Sequence, residues 1–258
     1  MFDTPTTQVW HQLFEQGKLN AAQSTFWQTK PVEELYDLKT DPDEVNNLAG
    51  LDKYREVVAN MRDAQQQWER RIKDAGFLSE WEIHSRSKGS SPYEMGHDAR
   101  QYDFEAVFAA ANLASSLREA DLPEIAKLLH SNDPAVRYWG AIGLLAQEKK
   151  GVAIGHDQLV DALKDASPIV QITAAEAIGR FGTPQDTAAA LKVLLHYAQP
   201  EADAYLSMAA WNSLDYLDEQ AQSAAQEIHD LSPAPKNPPP RYGDYGKRLK
   251  QETIVDLH

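Results

Sequence analysis

The chain has 258 residues, 42% of them hydrophobic and 25% charged, a balance ordinary for a globular protein with one or two cores. Its formal net charge of −14 repels phosphate backbones and anionic bilayers, which excludes nucleic acid and membrane as expected partners. Cysteine is absent, so disulfides, thiolate metal sites and cysteine nucleophiles are excluded too. No apolar run approaches the roughly 20 residues of a membrane span. The opening MFDTPTTQVWHQLFEQG has neither the basic start nor the apolar stretch of a secretory leader.

Residues 6–16 (TTQVWHQLFEQ) predict a short helix, with Gly17 as its terminator. EELYDL (33–38) reads as a short strand. Asp41 and Pro42 then read as the cap and first position of a helix, with Glu44 as the capping-box partner. From Leu51 to Ala75 an apolar residue recurs every three or four positions (Leu51, Tyr54, Val58, Met61, Ala64, Trp68, Ile72), which predicts a long amphipathic helix with Gly76 just past its end. Residues 79–100 carry Ser87, Gly89, Ser90, Ser91, Pro92 and Gly96 and read as a loop long enough to be an extended strap.

Residues 103–231 are helical and repetitive. LHSNDPAVRYWGAIGLL (129–145) aligns with LKDASPIVQITAAEAIG (163–179) at a shift of 34 residues. Pro134 pairs with Pro168, Val136 with Val170, Ala141 with Ala175 and Leu144 with Ile178. Each unit is a short helix, a turn and a second helix, with Asp133 or Ser167 as cap and the proline at the first helical position. Residues 187–217 form a third unit, in which Ala210 and Leu214 take the places of Ala174 and Ile178 at a shift of 36. Residues 104–117 read as the second helix of an earlier unit. One such pair cannot bury its own apolar face, so three or more must stack. From Ser232 the sequence SPAPKNPPPRYGDYGKRLK turns proline-rich and polar, and 232–258 reads as an extended arm.

Two resemblances emerge. KPVEELYDLKTDPDEVNNLA (30–49) is similar to the E-L-Y-D-L-x-x-D-P-x-E-x-x-N-L signature near the C-terminus of the sulfatase family. Ten positions agree: Glu34, Leu35, Tyr36, Asp37, Leu38, Asp41, Pro42, Glu44, Asn47 and Leu48. The resemblance implies that residues 1–100 are the last part of a small α+β subdomain packed beside a catalytic domain. In that family a cysteine or serine in C/S-x-P/A-x-R becomes formylglycine, and Asp and Asn residues hold calcium. Neither is legible here, so both cofactors are expected only in a missing catalytic domain. Separately, Asp133-Pro134-x-Val136-Arg137 with Gly140, Ala141 and Leu144 resembles HEAT repeats. Ser167 and Gln171 in the second unit depart from the pattern and interrupt an Asp–Arg ladder.

The expected architecture is therefore mostly α. A remnant of the sulfatase subdomain (1–100) precedes HEAT-like helical repeats forming an α-solenoid (101–231) and a proline-rich arm (232–258). The expected function is the non-catalytic C-terminal portion of a sulfatase-like hydrolase acting on sulfate esters or sulfamates of glycans when complete. The partner is the missing catalytic domain, in cis or as a separate chain, and a protein could dock on the repeats. The alternatives are a free-standing HEAT-like interaction module and a subunit of a split sulfatase. Family resemblance places the complete protein in the periplasm or outside the cell.

No residue is assigned a catalytic, cofactor or metal role. The eight histidines form no H-x-H or H-E-x-x-H motif. His84 and His97 read as solvated strap residues, or else as approaching a pocket of the missing domain. Glu33-Glu34 and Asp41-Asp43-Glu44 read as capping and edge carboxylates rather than an acid–base pair. Tyr138, Trp139 and Trp211 sit at repeat spacing and read as core, with a sugar-stacking surface the other reading. Trp10, Trp27, Trp68 and Trp81 read as anchors to the absent domain, leaving an exposed apolar patch where it is missing.

Overall fold

In the computed structural model, which describes residues 4–233 and 244–257, the chain divides into two units, Met1–Arg71 and Ile72–His258.

In the first unit, helix α1 (Pro5–Glu15) forms as its spacing predicts and begins on a proline. It ends where Gly17 takes φ +64°, a conformation glycine adopts without a Cβ penalty. Gly17 N–H then donates to Phe14 O, and Lys18 N–H to Leu13 O, both at 2.9 Å. Helix α2 (Ala21–Ser24) follows on an Asn20–Gln23 capping box. The ring of Trp27 gathers those of Trp10, His11, Phe14 and Phe26 within 4.7–6.1 Å.

Three expectations for this unit are corrected. No strand forms at 33–38 or elsewhere among the described residues, because a lone strand needs a neighbour to receive its hydrogen bonds. No helix starts at Asp41. Its carboxylate instead accepts Val45 N–H and Asn46 N–H, and Glu44 takes φ 54°, so the chain turns rather than winds. Helix α3 (Arg55–Ile72) stops before Gly76. Lys73 takes φ 53° and the Asp74 carboxylate accepts Gly76 N–H at 2.8 Å, starting a separate short turn. Of Trp10, Trp27, Trp68 and Trp81, Trp68 alone is exposed; it lies on α3, where Val57, Met61 and Ile72 are exposed too.

In the second unit the expected strap is not extended. It holds helices α4 (Glu80–Arg86) and α5 (Pro92–Gly96). Ser79 caps the start of the first, and a Ser91–Glu94 capping box starts the second. The repeats follow as α6 (Phe104–Ser115), α7 (Leu122–Leu128), α8 (Pro134–Ala146), α9 (Glu148–Ala162), α10 (Pro168–Phe181), α11 (Pro184–Tyr197) and α12 (Ala204–Tyr216). Pairs α7/α8, α9/α10 and α11/α12 stack so that each inner helix contacts the next. The aligned positions share one core. Ala141, Leu144, Val170, Ala174, Ala175, Ile178, Ala210 and Leu214 are all fully buried. Packing is closest where α9 meets α8: a Cβ on Gly151 would lie 2.0 Å from the Leu144 carbonyl oxygen.

The C-terminal arm is also corrected. After α13 (Ala225–Asp230), residues Tyr245–Asp256 form helix α14, which packs on α12. Leu249, Ile254 and Leu257 join the repeat core, and Lys250 Nζ donates to the carbonyls of His229 and Leu231. A helix at this place closes the apolar end of a repeat stack, as terminal repeats must. The proline run at 234–240 lies outside the described residues.

Candidate functional site

The ELYDL segment is held by its own polar side chains. Asn47 Oδ1 accepts Leu35 N–H (3.0 Å) and Ala49 N–H (2.9 Å), while its amide donates to Glu33 O (3.1 Å). Leu48 N–H donates to Leu35 O at 2.8 Å. Arg62 of α3 grips both oxygens of Glu33 at 2.5 and 2.6 Å, which holds that carboxyl below its usual range. Glu33, Asp41 and Asn47 are thus spent on ion-pair and backbone bonds, with no strand edge or helix start there for the acids to cap.

In the second unit, α4 crosses the starts of three successive inner helices. Arg86 donates to both oxygens of Asp133, the cap of α8, at 2.6 and 3.3 Å, to Glu82 at 2.5 Å and to Gln101 O at 2.9 Å. Ser167, the cap residue of α10, donates its hydroxyl to Glu82 at 3.4 Å. His84 stacks on Tyr205 in the first turn of α12, with centroids 4.3 Å apart. Trp81 packs on the repeat core. Burial disfavours the charge on Arg86, but its bonds to Asp133 and Glu82 outweigh burial and raise its pKa. Sequence reasoning missed this lacing, though Ser79 and Glu82 carry the capping spacing that marks a helix start.

One ladder rung forms between repeats. Arg137 donates to both oxygens of Asp165 at 2.7 Å and to the carbonyls of Ser131 and Asn132 at 2.8 and 3.1 Å. Asp165 raises the Arg137 pKa further. The partner acid stands two residues before the aligned Ser167, whose own hydroxyl caps nothing because it turns to Glu82. Asp133 does cap, accepting Ala135 N–H at 2.8 Å. The ladder then stops: Gln171 donates to Asp165 O and accepts from the Tyr197 hydroxyl.

The remaining candidates resolve as follows. His97 bonds Tyr93 O at 2.8 Å. Trp211 is fully buried, Tyr138 packs on the main core and Trp139 on a second cluster, which is the core reading. Among the described residues no group of three or more His, Cys, Asp or Glu is arranged to hold a metal ion, and no helix is long and apolar enough to cross a membrane.

Two titrations bear on stability. His156 Nε2 lies 3.1 Å from Asp186, joining α9 to the Thr183–Asp186 capping box of α11. The bond to Asp186 raises the His156 pKa. Burial works against the Asp186 charge, yet hydrogen bonds from Thr183 and His156 lower its pKa. The histidine's contribution is full below its ordinary value of about 6.5 and fades as pH rises through the raised one. The aspartate's is full above its ordinary value of about 3.9 and fades as pH falls through the lowered one. His156→Gln should therefore flatten the fall in Tm between about pH 6 and 8. Glu176 is the opposite case. Burial raises its pKa against the bonds from Ser213 and Arg180, so its contribution is present at low pH and lost as pH rises through the raised value. Glu176→Gln should raise Tm at pH 7, with the gain shrinking toward pH 4; equal melting at pH 7 would contradict this.

Residues 122–215 match the family described as HEAT repeats. The chain is 38% identical over 80 residues to the ulvan-active sulfatase of Formosa agariphila, a stretch that is 31% of this chain and 13% of that protein. It thus spans a small part of that relative's length. No solved structure matches. Geometry and comparison agree on a mostly helical chain that carries HEAT repeats in the manner of an α-solenoid.

Proposed function

We propose that the chain is a non-catalytic C-terminal portion of a sulfatase-like hydrolase, acting on sulfate esters or sulfamates of glycans when complete, with the repeats as a scaffold. The observation that carries this reading is the ELYDL-to-NL run, supported by the 38% identity over 80 residues to an ulvan-active sulfatase. The exposed apolar stripe on α3 supports a covering partner, because apolar patches of this kind mark interaction surfaces. That partner is the catalytic part, in the same polypeptide or in a separate one. A free-standing HEAT-like interaction module is the second reading, favoured by the match to HEAT repeats over 122–215.

The purified chain is expected to leave a chromogenic aryl sulfate unhydrolysed. Turnover abolished by a point mutation within this chain would overturn the non-catalytic assignment.

A further inference from the structure

Beside α4, a cleft of about 610 Å³ opens between the strap, the 99–103 turn and the 132–134 turn that starts α8. Its size is that of an ordinary small-ligand site. The floor is the Glu82–Arg86–Asp133 network described above, so its groups are fixed before any ligand arrives. Several polar groups around it are unspent. The Trp81 indole N–H and the Asn132 side-chain amide make no hydrogen bond among the described residues. Asp103 gives one oxygen to Ala106 N–H at 3.1 Å and keeps the other. Gln101 is held by Asp98 at 3.2 Å through its NH2 group, which leaves its carbonyl oxygen to accept.

The charges of the cleft select among ligands. Three carboxylates (Glu82, Asp103, Asp133) face two guanidiniums (Arg86, Arg100). Both guanidiniums are already committed, Arg86 to Glu82 and Asp133 and Arg100 to Asp98 at 2.7 Å. The balance is one negative charge in a chain of −14, so an anion gains nothing by entering. What the cleft offers is an indole, fixed planar donors and acceptors, and no free cation. A ring with apolar C–H faces and many hydroxyls uses all of these at once.

We propose that this cleft binds an uncharged pyranose segment of a glycan, stacked on Trp81 and hydrogen-bonded to Asn132, Gln101 and Asp103. The choice of a glycan rests on the sulfatase reading above; the preference for uncharged over sulfated sugar rests on the charges of the cleft itself. Loss of sulfate turns a charged stretch of glycan into an uncharged one. The cleft therefore holds what a desulfating reaction leaves behind and keeps the scaffold on a chain still being processed.

The test uses the full chain, with a κ-carrageenan tetrasaccharide and its chemically desulfated counterpart titrated by calorimetry or ligand-observed NMR. The desulfated sugar is expected to bind, and the sulfated one at least about tenfold more weakly at low salt, with the gap narrowing as salt screens the repulsion. Trp81→Ala should abolish binding. Because Trp81 also packs on the core, the exposed Asn132→Ala is the second variant, with an expected loss of about threefold to tenfold. Binding of neither sugar, tighter binding of the sulfated one, or unchanged binding by both variants would overturn the proposal. Sugar binding by a chain that fails to support a sulfatase would leave the cleft standing and remove the sulfatase reading. An active sulfatase carrying this chain's sequence without sugar binding would do the reverse.

Discussion

Replacing Arg137 by alanine is expected to cost about 3–5 kcal/mol, because it strands a buried partner. The side chains of Arg137 and Asp165 are only 13% and 10% exposed, and the pair is bidentate at 2.7 Å. Alanine removes the cation, two bonds to the carbonyls of Ser131 and Asn132, and the only arginine rung between repeats among the described residues. Arg137→Lys should recover little, since an ammonium cannot span two carboxylate oxygens and two carbonyls together. If Arg137 faced solvent, the substitution would be near neutral. Urea melts of the three proteins separate these cases, and a loss below about 1 kcal/mol would contradict the buried rung.

The second large effect lies at Trp211, on the inner helix of the third repeat. Its side chain is fully buried in the main core. Trp211→Ala should cost about 3–5 kcal/mol through lost transfer energy and the cavity left behind. Among the described residues its indole N–H has no hydrogen-bond partner, and an unmet buried donor is itself unfavourable. Trp211→Phe should therefore cost distinctly less than the loss of ring volume alone would give. Thermal melts of both variants check this; a Trp211→Phe loss as large as the lost ring volume alone predicts, or larger, would mean that the N–H is satisfied.

The repeat core was legible because its signals are local and recur. Pro134 and Pro168 mark helix starts, and Val136, Ala141 and Leu144 return as Val170, Ala175 and Ile178, buried in every unit. Gly17 was legible as a helix terminator for a similar reason, whereas the positive φ of Glu44 and Lys73 carries no glycine to mark it. Three other features were not. The strap read as loop because Ser87, Gly89, Ser90, Ser91, Pro92 and Gly96 punctuate its middle, while the capping residues that start α4 and α5 are few. Helix α14 was hidden by the proline run before it, although Leu249, Ile254 and Leu257 carry a helical spacing. The acid that meets Arg137 was not named from the sequence: Ser167 stands at the aligned cap, and Asp165, two residues before it, receives the guanidinium instead, because alignment finds equivalent positions and not the reach of a side chain across a turn. The strand at 33–38 failed for a different reason: its propensity is local, but its hydrogen bonds need a neighbour. Asn47 and Leu48 take two of those bonds instead.

The candidate surfaces were less legible than the fold. The ELYDL run was visible as a pattern, but its physical role as a self-bonded turn tied to α3 by Arg62 was not. The cleft beside α4 could not be seen at all, since it draws on three segments that only tertiary packing brings together.

The proposed role of this chain is to serve a sulfatase without performing its chemistry. Its most direct test is a chimera of the Formosa agariphila ulvan-active sulfatase, in which the 80 residues similar to this chain are replaced by this chain's own. A deletion of the same stretch is the control. The chimera is expected to be soluble and to hydrolyse its sulfated substrate, while the deletion is insoluble or inactive. A chimera no more active than the deletion, with both proteins folded, would contradict the account.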